Sequence, residues 1–376
     1  MEDRNKIVEI ETLIVGAGAA GLAVAACLKQ RGRPFVLIEQ SDKVAAAWRQ
    51  HYDRLHLHTS RSLSGLPDLP MPRGYPRYPG RDQVVAYMEQ YAAHFGLEPA
   101  FNQRLVRAER VDGRWHAATQ DRCYVADNLV ITTGYTRRPN LPEWPGRAGF
   151  AGPVIHSSAY RNGRPFAGQD VLVVGFGNSG GEIAVDLFDH GARPSIAVRS
   201  PVNVVARETL GIPSLTWNLF LSRLPGNMGD WMAAPLVRVS VGDLTRYGLR
   251  KSKIGPIQQI KTEGQVPLID VGTVKLIKGG QLTVYPGIEC FTPDGVVFSD
   301  GRAAAFDAVV LATGYRPDVD EFIPDAAGSI GGDGVPTASG RELAPGLYVC
   351  GFYISRTGML REIGIEAKRI AEAIGK

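Results

Sequence analysis

Two glycine-rich turns in this chain have the spacing of phosphate cradles. The first is Gly16-Ala-Gly18-Ala-Ala-Gly21, after the apolar run Thr12–Val15. The second is Gly175-Phe-Gly177-Asn-Ser-Gly180, after Val171–Val174. In such a turn the first glycine permits a tight bend, the second leaves room for a pyrophosphate against the backbone, and the third lets a helix close on a sheet. The helix start then offers its unpaired N–H groups to the phosphates. Three glycines alone are a weak signal, because glycines also serve turns and packing. Here each triplet sits between an apolar strand and a helix-forming stretch. Each is followed by another apolar run that ends on a charged residue: Glu39 in the first unit and Arg199 in the second.

Those two charges ask for different ligands. A carboxylate about 20 residues beyond the last glycine can accept hydrogen bonds from an adenosine ribose. The same carboxylate repels a 2′-phosphate, so Glu39 suits FAD or NAD, and its N-terminal position favours FAD. A guanidinium grips a phosphate through paired, charge-assisted hydrogen bonds. Arg199 therefore points to NADPH, with Ser200 as an added hydroxyl and Arg207 as a more remote cation. A competing role for Arg199 is stacking on the adenine without selecting its phosphate.

The elements needed to position these groups are legible around them. Residues 7–15, 19–30 and 36–38 read as strand, helix and strand, and residues 171–174, 178–190 and 195–198 repeat that order. Gly191 is placed to end the second helix. Short strands are expected over 105–111, 114–119 and 124–132, and a helix over 81–95. Thr133-Gly134 closes a strand and brings backbone toward the cofactor. A run of Pro139, Pro142, Pro145, Gly146 and Gly149 reads as a linker.

Several residues outside the glycine turns could also do chemistry. The irregular stretch 48–79 is long for a loop inside a compact domain, which favours a functional role. It contains Trp48-Arg49 and Tyr52-Asp-Arg-Leu-His-Leu-His58. His58 is a candidate for flavin contact or pocket lining, against the plainer reading of a surface histidine beside a buried leucine strand. His56 and His58 lack the further ligands a metal site needs. His156 is a linker residue or a cofactor-positioning one. Asn178 either touches the cofactors or caps its helix. Over 215–241, Trp217, Leu219, Phe220, Leu221, Trp231, Met232 and Leu236 suggest two short helices forming a pocket wall or lid, with a surface membrane contact as the weaker alternative. Arg250, Lys251 and Lys253 could meet a substrate carboxylate.

Size and composition narrow the function classes. A chain of 376 residues exceeds what one core usually supports, so two domains are expected. A net charge of +4 is too small to suggest nucleic acid as a partner. Cys27, Cys123, Cys290 and Cys350 form no CxxC pair, which weighs against a dithiol reductase and fits a reducing compartment. No stretch is apolar enough for a membrane span. The first residues are expected to lead into the opening strand without a signal peptide, and the expected location is cytoplasmic.

Further motifs carry a family resemblance. Phe150-Ala-Gly152-Pro-Val-Ile-His156-Ser-Ser-Ala-Tyr160 fills the signature FxGxxxHxxx(F/Y), just before the second glycine turn. Ala312-Thr-Gly-Tyr-Arg-Pro317 supplies a later ATG-plus-Tyr element. In these features the chain resembles the class B flavin-containing monooxygenases. Its character is that of the plant YUCCA indole-3-pyruvate monooxygenases, through Tyr52–His58, Pro153–Ser158, Gly242–Leu249, Pro267–Gly272, Tyr285–Ile288 and Ala367–Ile370. It departs from the plant pattern at Thr133–Arg137 and within Gly351–Gly358.

The resemblance implies an α/β protein of two Rossmann-like dinucleotide-binding domains, of the flavin monooxygenase and disulfide-reductase type. An FAD domain is expected over 1–148 and 305–376, with Gly314 near its cofactor. An NADPH domain is expected over 149–304, carrying the helical segment 211–241. The implied reaction reduces FAD with NADPH, forms a C4a-(hydro)peroxyflavin with molecular oxygen, and oxidatively decarboxylates an indole-3-pyruvate-like 2-oxo acid. Alternatives are S- or N-oxygenation of small nucleophiles, an NADPH oxidase or reductase, and a nucleotide-binding regulator without turnover. A homodimer is compatible with all of them.

Overall fold

Strand β1 (Lys6–Val15) lies inside the first unit's sheet, with a strand paired on each side. Its inner end, Leu13–Val15, is fully enclosed, as expected for a strand covered on both faces. Glycine turns β1 into helix α1 (Ala19–Gln30), whose residues 19–28 are all buried. The chain then returns as β2 (Phe35–Ile38), parallel to β1. On the other side of β1 runs β3 (Arg122–Ile131), also parallel, and beyond it the strand Leu347–Val349. Register places Ile38, Val15, Ile131 and Val349 level at the carboxyl ends. A hairpin, Arg107–Val111 with Arg114–Ala118, pairs antiparallel with β3. Its buried Trp115 donates to the Pro345 carbonyl at 3.1 Å.

This computed structural model describes residues 6–209, 211–221, 224, 228–353 and 357–375. They form two compact units, one of residues 1–50, 59–138 and 315–376, the other of residues 51–58 and 139–314. The second unit repeats the first one's opening. Strand β4 (Asp170–Val174) leads through the second glycine turn into helix α2 (Asn178–Asp189) and back as β5 (Arg193–Ala197), parallel to β4. Strand β6 (Ala308–Leu311) lies on the other side of β4, followed by Val154–His156 at one edge, with Thr283–Tyr285 at the opposite edge. All these pairings are parallel, and Tyr285, Ala197, Val174, Leu311 and His156 are level at the carboxyl ends. A small antiparallel sheet of Ile288–Thr292, Gly295–Phe298 and Ala303–Ala305 completes this unit.

Two expectations about boundaries change. The strand over 306–311 was expected to return to the first domain, yet β6 lies inside the second sheet, and the first unit resumes at Tyr315. Its four residues are wholly buried, and such an apolar run suits any central parallel strand. Residues 51–58 also belong to the second unit. Tyr52 sits in that unit's core, 6.5 Å from the Tyr160 ring. The Asp53 N–H donates to the Arg161 carbonyl at 2.8 Å, and Arg54 pairs with Asp189.

The two short helices over 215–241 have counterparts, whereas residues 139–149, read as a linker, fall within the second unit. Helices run over Ser214–Leu221 and Met228–Ser240, the latter with Pro235 inside it. Leu221 is buried, whereas Trp231 and Met232 are exposed. The side chains of Leu215, Phe220 and Leu236, together with residues 222, 223 and 225–227, lie outside the described residues. Among the described residues no helix is long and apolar enough to cross a membrane.

The two helix–turn contacts make a sharp prediction. A Cβ on Gly21 would stand 1.8 Å from the Gly16 carbonyl oxygen, and one on Gly180 would stand 2.1 Å from that of Gly175. Gly21→Ala and Gly180→Ala each have to push a helix off its sheet. Urea unfolding should show each losing about 1–3 kcal/mol.

Candidate active site: two dinucleotide cradles

In the first cradle, Gly16 has φ +108°, a conformation open to glycine, and its N–H donates to the Ile38 carbonyl at 2.8 Å. Gly18 stands at the start of α1 with extended backbone and no side-chain cap. A Cβ added to Gly18 meets nothing within 4 Å, in contrast to Gly16 and Gly21. The turn therefore packs through its first and third glycines and faces open space at its middle one. Glu39 is 7% exposed and staples the turn to the end of β2. Its Oε2 accepts the Ala17 N–H at 2.7 Å, and its Oε1 accepts the Ser41 N–H at 3.0 Å and hydroxyl at 2.9 Å. A carboxylate keeps acceptor capacity beyond these bonds. At the end of β3, the Thr132 hydroxyl lies 2.7 Å from the Val15 carbonyl and 2.9 Å from that of Gly16. Next to it, Thr133 Oγ1 is buried with no protein partner, an uncommon condition for a hydroxyl unless a ligand or water completes it. Gly134 follows with φ +73°. Trp48 and Arg49 lie on the short helix Ala46–Arg49, where Arg49 pairs with Glu89 and donates to the Val44 carbonyl at 3.1 Å.

The second cradle has the same geometry. Gly175 has φ +111°, and its added Cβ would lie 2.5 Å from the Ala312 carbonyl oxygen. Gly177 caps α2 with extended backbone, no side-chain cap, and open space where its Cβ would be. Arg199 and Ser200 emerge exposed just beyond β5. Among the described residues no carboxylate pairs with Arg199.

A family model described as pyridine nucleotide-disulphide oxidoreductase matches residues 13–210, which span both cradles. An indole-3-pyruvate monooxygenase of Oryza sativa subsp. japonica, YUCCA1, is 41% identical over 348 residues, covering 90% of this chain and 86% of that protein. A probable indole-3-pyruvate monooxygenase of Arabidopsis thaliana, YUCCA4, is 39% identical over 368 residues, covering 96% and 89%. The chain belongs to the YUCCA-like flavin-containing monooxygenases. A solved flavin-containing monooxygenase from Stenotrophomonas maltophilia shares the fold, with a TM-score of 0.74 at 21% identity over 97% of this chain and 98% of that one. As a member of this family, the chain is a flavoprotein monooxygenase.

The residues of this YUCCA-like chain named as chemical candidates have defined places. His156 ends its edge strand and is 7% exposed. The Ser158 N–H donates to its Nδ1 at 3.1 Å, which leaves the proton on Nε2, 3.0 Å from the Gly314 carbonyl oxygen. Burial pulls its pKa down, partly countered by that carbonyl. A ring so held orients the loop after β6 and has no free lone pair to act as a base. Asn178 does not cap its helix: its Oδ1 accepts the Ile269 N–H at 2.7 Å and ties α2 to the strand Leu268–Asp270. Tyr160, the aromatic end of the signature motif, donates to Asp186 Oδ2 at 2.7 Å.

His58 belongs to a buried polar cluster that sequence reasoning did not assemble. Its Nε2 lies 3.3 Å from Glu182 Oε1, on the face of α2 one turn beyond Asn178. Tyr52 hydrogen-bonds Glu182, and Arg54, Arg207 and Asp186 stand near it. His58 Nδ1 and Glu182 Oε2 are both buried without a partner. Burial raises the Glu182 carboxyl to about 7. Burial, then the charges of Arg207 and His56, lower His58 to about 4. Both groups are thus neutral between about 4 and about 7. The available sequence signal was the spacing of Asn178, Glu182 and Asp186, four residues apart, which puts three polar side chains along one face of α2.

Two sets of variants test this geometry. Gly18→Ala and Gly177→Ala meet no protein atom, so both should fold with wild-type thermal midpoints. Gly18→Ala should be purified without flavin, whereas Gly177→Ala should keep flavin and lose nicotinamide binding by calorimetry. For the buried pair the two shifts oppose each other. A carboxyl raised from 4.5 to about 7 keeps its proton in the fold, so its contribution to stability falls as pH rises through that window. An imidazole lowered from 6.5 to about 4 contributes stability that rises with pH between those values. Relative to the parent, Glu182→Gln should gain urea stability as pH rises from 4.5 to 7, and His58→Gln should lose it between 4 and 6.5. Each change should be on the order of 1–3 kcal/mol.

Proposed function

We propose that this chain is an FAD- and NADPH-dependent monooxygenase that converts an indole-3-pyruvate-like 2-oxo acid to the carboxylic acid one carbon shorter. The observation that carries the cofactor assignment is the contrast between two matching cradles, one ending in buried Glu39 and the other in exposed, carboxylate-free Arg199. The substrate class comes from the relatives, which are named for indole-3-pyruvate at 39–41% identity over most of the chain.

In the first unit, Gly16, Gly18 and Gly21 with the α1 N–H groups would hold the FAD pyrophosphate. Glu39 would accept from the adenosine ribose, and Thr133 and Gly134 would contact the flavin from the end of β3. Trp48 and Arg49 would bound that site. In the second unit, Gly175, Gly177 and Gly180 would hold the nicotinamide dinucleotide, with Arg199 and Ser200 on its 2′-phosphate. His156 would fix the Gly314 backbone, and Asn178 and His58 would keep α2 and its neighbouring strap in place. Bound flavin supplies oxygen activation after reduction by NADPH, and the protein supplies position, charge and exclusion of water. The balanced reaction consumes the 2-oxo acid, molecular oxygen, NADPH and a proton. It yields the shortened acid, carbon dioxide, water and NADP.

Holoenzyme supplied with NADPH, oxygen and indole-3-pyruvate should release one carbon dioxide and one indole-3-acetic acid for each NADPH consumed. Recovery of all the oxygen as hydrogen peroxide with the 2-oxo acid intact would overturn the assignment. So would oxygenation confined to amines and thioethers.

A further inference from the structure

Arg199 leaves β5 exposed, and a second stretch of chain returns alongside it. The Val202 N–H donates to the Arg250 carbonyl at 2.8 Å, the Ser252 N–H donates to the Val202 carbonyl at 3.2 Å, and Val202 bridges to Lys251 in parallel register. Leu249, 3% exposed, anchors the returning stretch in the core, and Arg250 emerges from it into solvent. The Arg250 guanidinium donates through Nη2 to the carbonyl of Arg199 itself. Asn203 secures the same stretch through its side-chain amide, which donates to the Ile254 carbonyl at 3.0 Å.

We infer that Arg250 is a second cation of the 2′-phosphate site, placed by backbone pairing beside Arg199, and that the two together set preference for NADPH over NADH. The inference rests on the reading of the second cradle as the nicotinamide site. Among the described residues neither Arg199 nor Arg250 has a carboxylate partner, so each guanidinium keeps an unneutralised charge that an anion could meet. Only one of the Arg250 N–H groups is committed, to a carbonyl that fixes the plane of the guanidinium, and the rest stay free for phosphate oxygens. Lys251, next in sequence, is different: it is near enough to Asp243 for its charge to act on that carboxylate. The nearby Gly287 lets the Tyr285–Ile288 turn close over the Arg199 stem, since a Cβ there would lie 3.1 Å from the Arg199 Cβ.

The test measures binding of NADP⁺ and NAD⁺ to flavin-loaded enzyme by calorimetry in the parent, Arg250→Gln, Arg250→Lys, Arg199→Gln and the Arg199/Arg250 double variant. Losing a charge-assisted contact should weaken NADP⁺ binding by about tenfold or more. Arg250→Gln should show that loss with NAD⁺ affinity unchanged, Arg250→Lys should keep part of the affinity, and the double variant should bind both dinucleotides alike. Equal weakening of NADP⁺ and NAD⁺, or no change in either, in an Arg250→Gln protein with the parent thermal midpoint would overturn the role of Arg250 while Arg199→Gln still lost discrimination. A parent enzyme that bound NAD⁺ as tightly as NADP⁺ would instead overturn the NADPH reading of the second cradle, and the inference with it.

Discussion

The architecture of both units depends on two places where a helix touches a strand-to-helix turn with no side chain between them. The Gly16 carbonyl presses where a Gly21 Cβ would stand, and the Gly175 carbonyl does the same at Gly180. Contact at that distance sets each helix start directly over the carboxyl end of its sheet. The open N–H groups and the space in front of the middle glycine follow from this approach. No polar side chain could be added to cap either helix without filling the space that a pyrophosphate needs.

Around these contacts, each unit holds its turn by a different polar device. The first uses Glu39, whose two oxygens take Ala17 and Ser41 and so join the glycine turn to the strand after it. The second uses three side chains spaced four residues apart along α2. Asn178 reaches the strand Leu268–Asp270, Asp186 takes the Tyr160 hydroxyl and the Gly163 N–H, and Glu182 meets His58 and Tyr52. Burying carboxylates this way is costly unless their oxygens are bonded. Asp186 meets that demand with neutral donors, and Glu182 meets it by holding a proton. The arrangement pins the excursion of residues 51–58 to the helix that opens the nucleotide site.

The signature histidine illustrates how a functional motif can be structural in its details. His156 lies level with the ends of four parallel strands, yet both ring nitrogens are spent on backbone groups. What it fixes is the position of the Gly314 carbonyl. Tyr160 has the same character, since its hydroxyl goes to Asp186 and its ring to the core.

The pattern of glycines, apolar runs and terminal charges was enough by itself to establish two Rossmann-type units, the ends of most of their strands and helices, and the opposite charges just beyond the second strand of each unit. Such features depend on neighbours in sequence, and local sterics and hydrogen bonding make them nearly independent of the remainder of the chain. Only the tertiary structure decided that the strand over 308–311 joins the second sheet, that residues 51–58 leave the first unit for the second, and that Arg250 comes to rest at the Arg199 carbonyl. An apolar strand carries no mark of which sheet it enters, and a histidine or arginine carries none of which distant group it will meet. Those outcomes were set by long-range packing, in which Leu249, Tyr52 and the β6 side chains find the cores that bury them.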